Sequence, residues 1–272
     1  MYYLSKGLEE KGLALFGNIL AYMFAIFCIF ASLGGGNMFQ VNQSLDLLIF
    51  VTGGSGSFLD LHSWVYGLII ALLVGLVIIG GIKRIGSVTS KLVPSMAVIY
   101  LISALIIIFS NYDQIPSAIS SIFVGAFSPE GVTGGFIGVL ILGFRRAVFS
   151  NEAGIGSAPI AHSAVKTDDP TTEGLVSLLE PFVDTVIICT LTALVIITSG
   201  VYTTGQEIEG ARMTSQAFGT VLPTFPYLLA LVATLFAFST MISWSYYGVK
   251  AVTFIFGESK NIETLYLSLI HI

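Results

Sequence analysis

Six continuous apolar runs set the strongest limit on what this chain can fold into: residues 13–33, 63–81, 92–110, 131–149, 175–200 and 223–248. Each is close to the ~20 mostly apolar residues that a helix needs to cross the hydrocarbon core of a bilayer. The short segments between them carry nearly all of the charge. The fourth run is the least pure, because Arg145 and Arg146 lie near its end. Only 10% of the 272 residues are charged and the mean hydropathy is +0.91. A soluble domain carries about a quarter charged residues, so too few ionic groups are present here to coat a water-facing surface. The runs do not alternate apolar with polar, as the strands of a membrane β-barrel do. The expected class is an all-α integral membrane protein with about six transmembrane helices.

The basic residues orient this arrangement. Lys6, Lys11, Lys83, Arg84, Lys91, Arg145, Arg146, Lys166, Lys250 and Lys260 fall on one side of the six runs, and only Arg212 falls on the other. By the positive-inside rule the populated side is cytoplasmic, which places the start of the chain inside a multi-pass protein of the cell (inner) membrane. Residues 1–11 are charged and Tyr-rich, unlike a signal peptide, and read as a loop. Residues 1–264 are expected to form one membrane domain, followed by a short irregular end over 265–272, too short to span. A net charge of -5 with no basic run argues against a nucleic-acid partner. Cys28 and Cys189 lie in separate apolar runs with no Cys/His cluster nearby, so no zinc site is suggested.

Four segments concentrate polar or helix-breaking residues. In the stretch Ser150, Asn151, Glu152, Ala153, Gly154, Ile155, Gly156, Ser157, Ala158, Pro159, the two glycines and the proline weaken the helical ladder. Such a stretch is either a broken membrane helix whose freed backbone groups hold an ion or a zwitterion, or a Gly-rich loop before a new helix. Glu180 and Asp184 are four residues apart, on one face of an α-helix. A mid-membrane carboxylate costs about 2.5–3.5 kcal/mol on insertion scales, so Asp184 would face a cavity or a cation unless it sits near the interface. After three glycines, Asn37 and Gln40 supply amides, which accept from an ammonium and donate to a carboxylate, or merely mark a polar helix exit. Ser239 and Thr240 place two adjacent hydroxyls on the last apolar run, as ligands for Na+ or as groups bonded back to their own helix. No catalytic constellation emerges: Ser57 stands where the nucleophile turn G-x-S-x-G needs its last glycine, and Ser157 with His162 has no acidic partner at an informative spacing.

Read together, several blocks resemble the alanine or glycine:cation symporter family, also called sodium:alanine symporters. The blocks are Met1-Tyr2-Tyr3-Leu4 with Lys6-Gly7, Ile78-Ile79-Gly80-Gly81-Ile82-Lys83-Arg84-Ile85-Gly86 with Lys91-Leu92-Val93-Pro94, and residues 149–162. Asp184-Thr185 with Cys189-Thr190-Leu191-Thr192, and Phe236-Ala237-Phe238-Ser239-Thr240 with Trp244-Ser245-Tyr246-Tyr247-Gly248, complete them. Of these, 149–162 is the most specific; Ala147 departs from the glycine that usually follows Arg in the family. The resemblance implies a leucine-transporter-type inverted-repeat fold in which the six runs are core helices three to eight, without the first two. It moves Ser150 to Gly156 toward a broken sixth core helix. It also implies Asn37, Gln40, Ser150, Asn151, Glu152, Ala153 and Gly154 as substrate-binding residues, Ser239 and Thr240 as Na+ ligands, and Asp184 as a coupling residue. The implied activity is symport of Na+ with alanine or glycine, with no cofactor beyond the co-transported ion and no enzymatic step. H+ coupling through Asp184 or Glu152, or a membrane subunit that transports nothing, are the alternatives. A chain lacking half of such a site is expected to insert without transporting on its own.

Overall fold

The computed structural model describes residues 1–127, 129–152, 154–203 and 210–270. The chain is 84% helical, with no strand among the described residues. The helices are α1 (Tyr2–Glu9), α2 (Ala14–Leu33), α3 (Phe39–Val51), α4 (Phe58–Leu61), α5 (Ser63–Ile78), α6 (Gly81–Ser110), α7 (Ile115–Phe127) and α8 (Pro129–Ser150). They continue with α9 (Ala158–His162), α10 (Pro170–Ser177), α11 (Leu179–Pro181), α12 (Thr190–Ser199), α13 (Ala211–Gly219), α14 (Phe225–Phe256) and α15 (Lys260–Ile270). Two π-helical segments interrupt the α ladder, Gly34–Met38 between α2 and α3 and Phe182–Cys189 between α11 and α12.

Among the described residues, four continuous helical stretches are long and apolar enough to cross a membrane: Ala14–Val51, Gly81–Ser110, Pro170–Ser199 and Phe225–Phe256. α5 is a shorter apolar helix of 16 residues, and α8 has 22. The stretches outrun the apolar runs of the sequence because a helix does not stop where hydrophobicity does. Lys83, Arg84 and Lys91, read as a loop, lie within α6, which also continues through Pro94. Residues 2–9, also read as a loop, form α1, whose Tyr2 ring packs edge-on against Phe254 at 5.1 Å.

The end of the chain departs from the irregular tail expected over 265–272, since α15 carries the helix to Ile270. Ile262 and Tyr266, one turn apart, share a face that packs with Val252, Val249, Ile29 and Leu33. The Tyr266 hydroxyl also hydrogen-bonds to Ser32. Tertiary packing of one face therefore stabilises a segment too short to hold a helix alone.

The residues gather into two compact units, 1–96 with 233–272, and 97–232. In the first, Ile70, Val74 and Ile78 of α5 meet Ala237, Met241 and Ile242 of α14 in a buried cluster. Ser32, Ser44, Ser239, Ser245 and Thr253 are buried as well, while Phe27, Phe30 and Leu72 point outward. Small polar groups inside with large apolar groups outside is the distribution suited to lipid as the solvent. In the second unit the Tyr100 hydroxyl is hydrogen-bonded to Thr192 of α12, and the Tyr100 ring lies 5.6 Å from that of Phe218 on α13.

Candidate functional site

In the first unit the glycine triplet determines the local backbone. Gly34, Gly35 and Gly36 have little side-chain packing to hold an α-helical register, and the helix widens to π geometry over Gly34–Met38. The widened turn is covered by Trp244 of α14: a Cβ on Gly36 would overlap the Trp244 side chain, so only glycine lets the two helices approach this closely. The Gln40 amide donates to the Gly35 carbonyl at 3.1 Å, satisfying a backbone group of that turn. One turn on, Ser44 donates to the Gln40 carbonyl at 2.7 Å and accepts from the buried Tyr66 hydroxyl at 2.8 Å. Gly36, Gln40 and Ser44 thus form one inward stripe at spacing four. Asn37 is half-buried within the π segment.

On α14, Ser239 donates to the Phe236 carbonyl at 2.8 Å, and Thr240 donates to the same carbonyl at 3.1 Å. Both hydroxyls are bonded back to their own helix. Because each spends its proton inside the helix, its oxygen lone pairs remain available to accept a donor or meet a cation.

In the second unit, α8 ends at Ser150 and the helix does not resume until Ala158. Gly154 and Gly156 have φ of +85° and +93°, in the region that side chains with a Cβ rarely adopt, which is why the turn needs glycine at both positions. Pro159 then opens α9, where its missing N–H costs nothing. The break is met by the second π segment. The Ser150 hydroxyl donates to Asp184 Oδ2 at 2.5 Å and lies 3.1 Å from Cys189 Sγ. Asn151 donates to the Thr185 hydroxyl at 2.6 Å, and Thr185 in turn donates to Asp184 Oδ2 at 3.3 Å. Glu152 is half-buried and Gly154 exposed in the same turn, whereas Ala153 lies outside the described residues.

Pro181 precedes this π segment and removes one backbone donor from the ladder. At its far end the Thr190 hydroxyl reaches back to the Thr185 carbonyl at 3.5 Å. The two π segments share a device: a side chain five residues on donates to a carbonyl of the widened turn, Gln40 to Gly35 and Thr190 to Thr185. Glu180 and Asp184, four residues apart, meet different neighbours: Glu180 approaches His162 at 3.8 Å and Asp184 is held by Ser150.

The structure therefore joins Ser150, Asn151 and Asp184 in one polar cluster, and places Asn37, Gln40, Ser239 and Thr240 in the other unit. Sequence reading gave no site role to Trp244, Thr185 and Cys189, which it quoted within family blocks, and did not single out Tyr66 or Ser44. The Gly-triplet was the available signal for Trp244, since a run of residues without side chains marks a close approach. Ser157, weighed in the sequence only as a dyad with His162, is 2% exposed, and its hydroxyl has no hydrogen-bond partner among the described residues. Among those residues no group of three or more His, Cys, Asp or Glu is placed to hold a metal ion, so hydroxyls, amides and backbone carbonyls are the oxygen ligands on offer.

Comparison with known proteins gives this chemistry a context. The profile of the "Sodium:alanine symporter family" matches residues 1–272. The chain is 39% identical over 260 residues to "Sodium/alanine symporter AgcS" of Methanococcus maripaludis, covering 94% of this chain and 55% of that protein. It is 36% identical over 264 residues to an "Uncharacterized transporter" of Haemophilus influenzae, covering 94% and 55%. With "Probable sodium/glutamine symporter GlnT" of Bacillus subtilis it shares 32% over 267 residues, covering 97% and 52%. The chain thus spans about half the length of the curated relatives it matches. With a match along its whole length and apolar helices arranged around buried polar groups, the chain belongs to the sodium:alanine symporter family, a family of membrane transporters.

Proposed function

We propose that the chain is part of a secondary active transporter that couples Na+ entry to uptake of a small neutral amino acid, alanine or glycine. The observation that carries this reading is the helix break after Ser150, where a hydroxyl, an amide and the Asp184 carboxylate converge on residues that have left the helical ladder. Such a break offers backbone groups to a zwitterion, as inverted-repeat transporters do at their broken helices. On this reading Asn37 of the π segment and Gln40 of α3 in the first unit, and Ser150, Asn151, Glu152, Ala153 and Gly154 in the second, are the substrate-binding candidates. Ser239 and Thr240 would hold Na+ through the oxygen atoms left free by their bonds to Phe236. Bound Na+ would stabilise the substrate-competent state, and reciprocity of that coupling makes the gradient drive uptake. The name of the archaeal relative supports alanine, and that of the Bacillus relative keeps a larger amide substrate in view. The second reading is H+ coupling through Asp184 or Glu152, the carboxylates at the break, of which Asp184 is held by Ser150.

In a full-length transporter carrying these residues, Ser239→Ala or Thr240→Ala is expected to raise the Na+ concentration for half-maximal uptake about tenfold, equivalent to about 1.4 kcal/mol for one lost ligand. Uptake that ignores Na+ and follows a proton gradient would move the coupling site to Asp184.

The orientation has its own test. The cytoplasmic face is assigned from the basic residues, and both Gln114 and Ser87 are exposed. With Cys28 and Cys189 replaced by serine, Gln114→Cys is expected to react with a membrane-impermeant thiol reagent added outside intact cells, and Ser87→Cys only after permeabilisation. The opposite labelling would overturn both the orientation and the assignment to core helices three to eight.

A further inference from the structure

Residues 81–91, which open α6, carry Lys83, Arg84 and Lys91, all of them exposed. At about 100° per residue, Lys83, Arg84, Ser87, Ser90 and Lys91 fall within an arc of about 120°. The other side of the same turns faces protein: Ile85 is buried and, with Val88, packs against the cluster of α5 and α14. A bias of basic residues toward one side of a membrane explains their number here, but not their confinement to one face of a helix. The Arg84 stem is also placed. It lies back over the turn between α5 and α6, where a Cβ on Gly80 would overlap Arg84 Cβ and Cδ, so glycine lets the stem settle there.

The protein does not answer this charge. Among the described residues Lys83, Arg84 and Lys91 have no acidic partner, and the first turn of α6 holds no acidic residue. Cations at the start of a helix also meet the positive end of its dipole, which disfavours the arrangement until an anion joins it. The level of the segment says which anion. The apolar part of α5 ends at Ile79, which is 80% exposed, and that of α6 begins at Leu92. Residues 81–91 connect these two points and therefore lie where hydrocarbon gives way to headgroups. At that level the anion on offer is the phosphate of a lipid, and long basic side chains put their charge there while their stems stay on apolar surface.

We propose that this face of α6 is a docking surface for an anionic phospholipid, in the cytoplasmic leaflet by the positive-inside orientation. Arg84 meets the phosphate with two parallel N–H donors. Lys83 and Lys91, about 12 Å apart along the helix, add point charges, and Ser87 between them adds a hydroxyl. The bound lipid holds the turn between α5 and α6 at the membrane surface. This surface needs the membrane setting and not the transport reading, so it stands or falls separately from symport.

The test is lipid binding to the full-length protein in detergent, measured by native mass spectrometry with phosphatidylglycerol, phosphatidylcholine and inorganic phosphate as probes. Wild type is expected to bind phosphatidylglycerol about tenfold more tightly than phosphatidylcholine, whose choline cancels the charge of the same phosphate. One basic residue beside an anionic lipid contributes about fivefold, so the combined Lys83→Gln, Arg84→Gln, Lys91→Gln variant is expected to bring the two lipids within about twofold. Combined Lys6→Gln and Lys11→Gln, which removes two basic residues from the same side but outside this arc, is expected to keep the full preference. A preference that survives the triple variant, or falls equally in the Lys6 and Lys11 variant, would overturn the surface, the latter by reducing it to net charge. Displacement of phosphatidylglycerol by an equal concentration of inorganic phosphate would also overturn it, as the mark of a small-anion site. Thermal unfolding of each preparation identifies a variant that has not folded. Arg84→Gln alone then replaces the triple variant and is expected to lose about fivefold in phosphatidylglycerol binding, and unchanged binding there would equally remove the surface.

Discussion

Asp184→Asn in the full-length transporter is expected to lower ion-driven amino-acid uptake about a hundredfold, close to 2.7 kcal/mol, while the protein stays folded. Asp184 accepts from Ser150 at 2.5 Å and from Thr185 at 3.3 Å, so it fixes the end of α8 against the second π segment. Asparagine keeps an acceptor oxygen in the same place and preserves that geometry. What it removes is the negative charge, which on the symporter reading attracts the co-transported cation. Asp184→Ala removes the acceptor as well, and because both hydroxyls are exposed it is expected to cost about 1 kcal/mol of stability or less in addition. Uptake into proteoliposomes under a Na+ gradient and under a proton gradient, with thermal unfolding of the same preparations, separates these effects. Uptake by the Asp184→Asn variant within about threefold of wild type under both gradients would reduce Asp184 to a structural acceptor.

The class of fold was legible because it rests on the cheapest signal a sequence carries, the length of its apolar runs. The boundaries were not, for reasons visible in particular residues. Lys83, Arg84 and Lys91 interrupt hydrophobicity without interrupting the backbone ladder, so charge marked a loop where α6 continues. The end of the chain failed in the opposite sense. Its short apolar stretch looks irregular by length, and becomes helical because Tyr266 has a place to pack beside Val252. The site shows the same division. Gly154, Gly156 and Pro159 announced the break, since positive φ and a missing N–H are properties of single residues. Which groups meet the break is a property of register. Glu180 and Asp184 share a face by spacing, but the neighbour each one meets, His162 for the first and Ser150 for the second, is set by packing between segments. No spacing rule for an α-helix anticipates a π turn, whereas a glycine triplet or a proline beside a polar pair gives some warning of it.

Gly36→Ala is expected to destabilise the protein by about 1–3 kcal/mol through overpacking and to impair any substrate site built on Asn37 and Gln40. The nearest atom to a Cβ at Gly36 is the Cβ of Trp244, with Cγ next. A clash with the far end of a side chain can be relieved by a change of rotamer, but a clash with a Cβ can be relieved only by moving backbone. The π segment and α14 must therefore separate, and the stripe of Gly36, Gln40 and Ser44 moves with them. Because Ser44 is tied to both the Gln40 carbonyl and the Tyr66 hydroxyl, part of that movement is transmitted to α5. This reasoning predicts an unusual pattern in a double-mutant cycle. Trp244→Ala retains the offending Cβ and should leave most of the Gly36→Ala penalty in place, whereas in a Trp244→Gly background the penalty should nearly vanish. Thermal unfolding of the single and double variants in detergent measures both couplings. An equal Gly36→Ala penalty in all three backgrounds would show that the glycine serves the π turn itself and not the approach of α14.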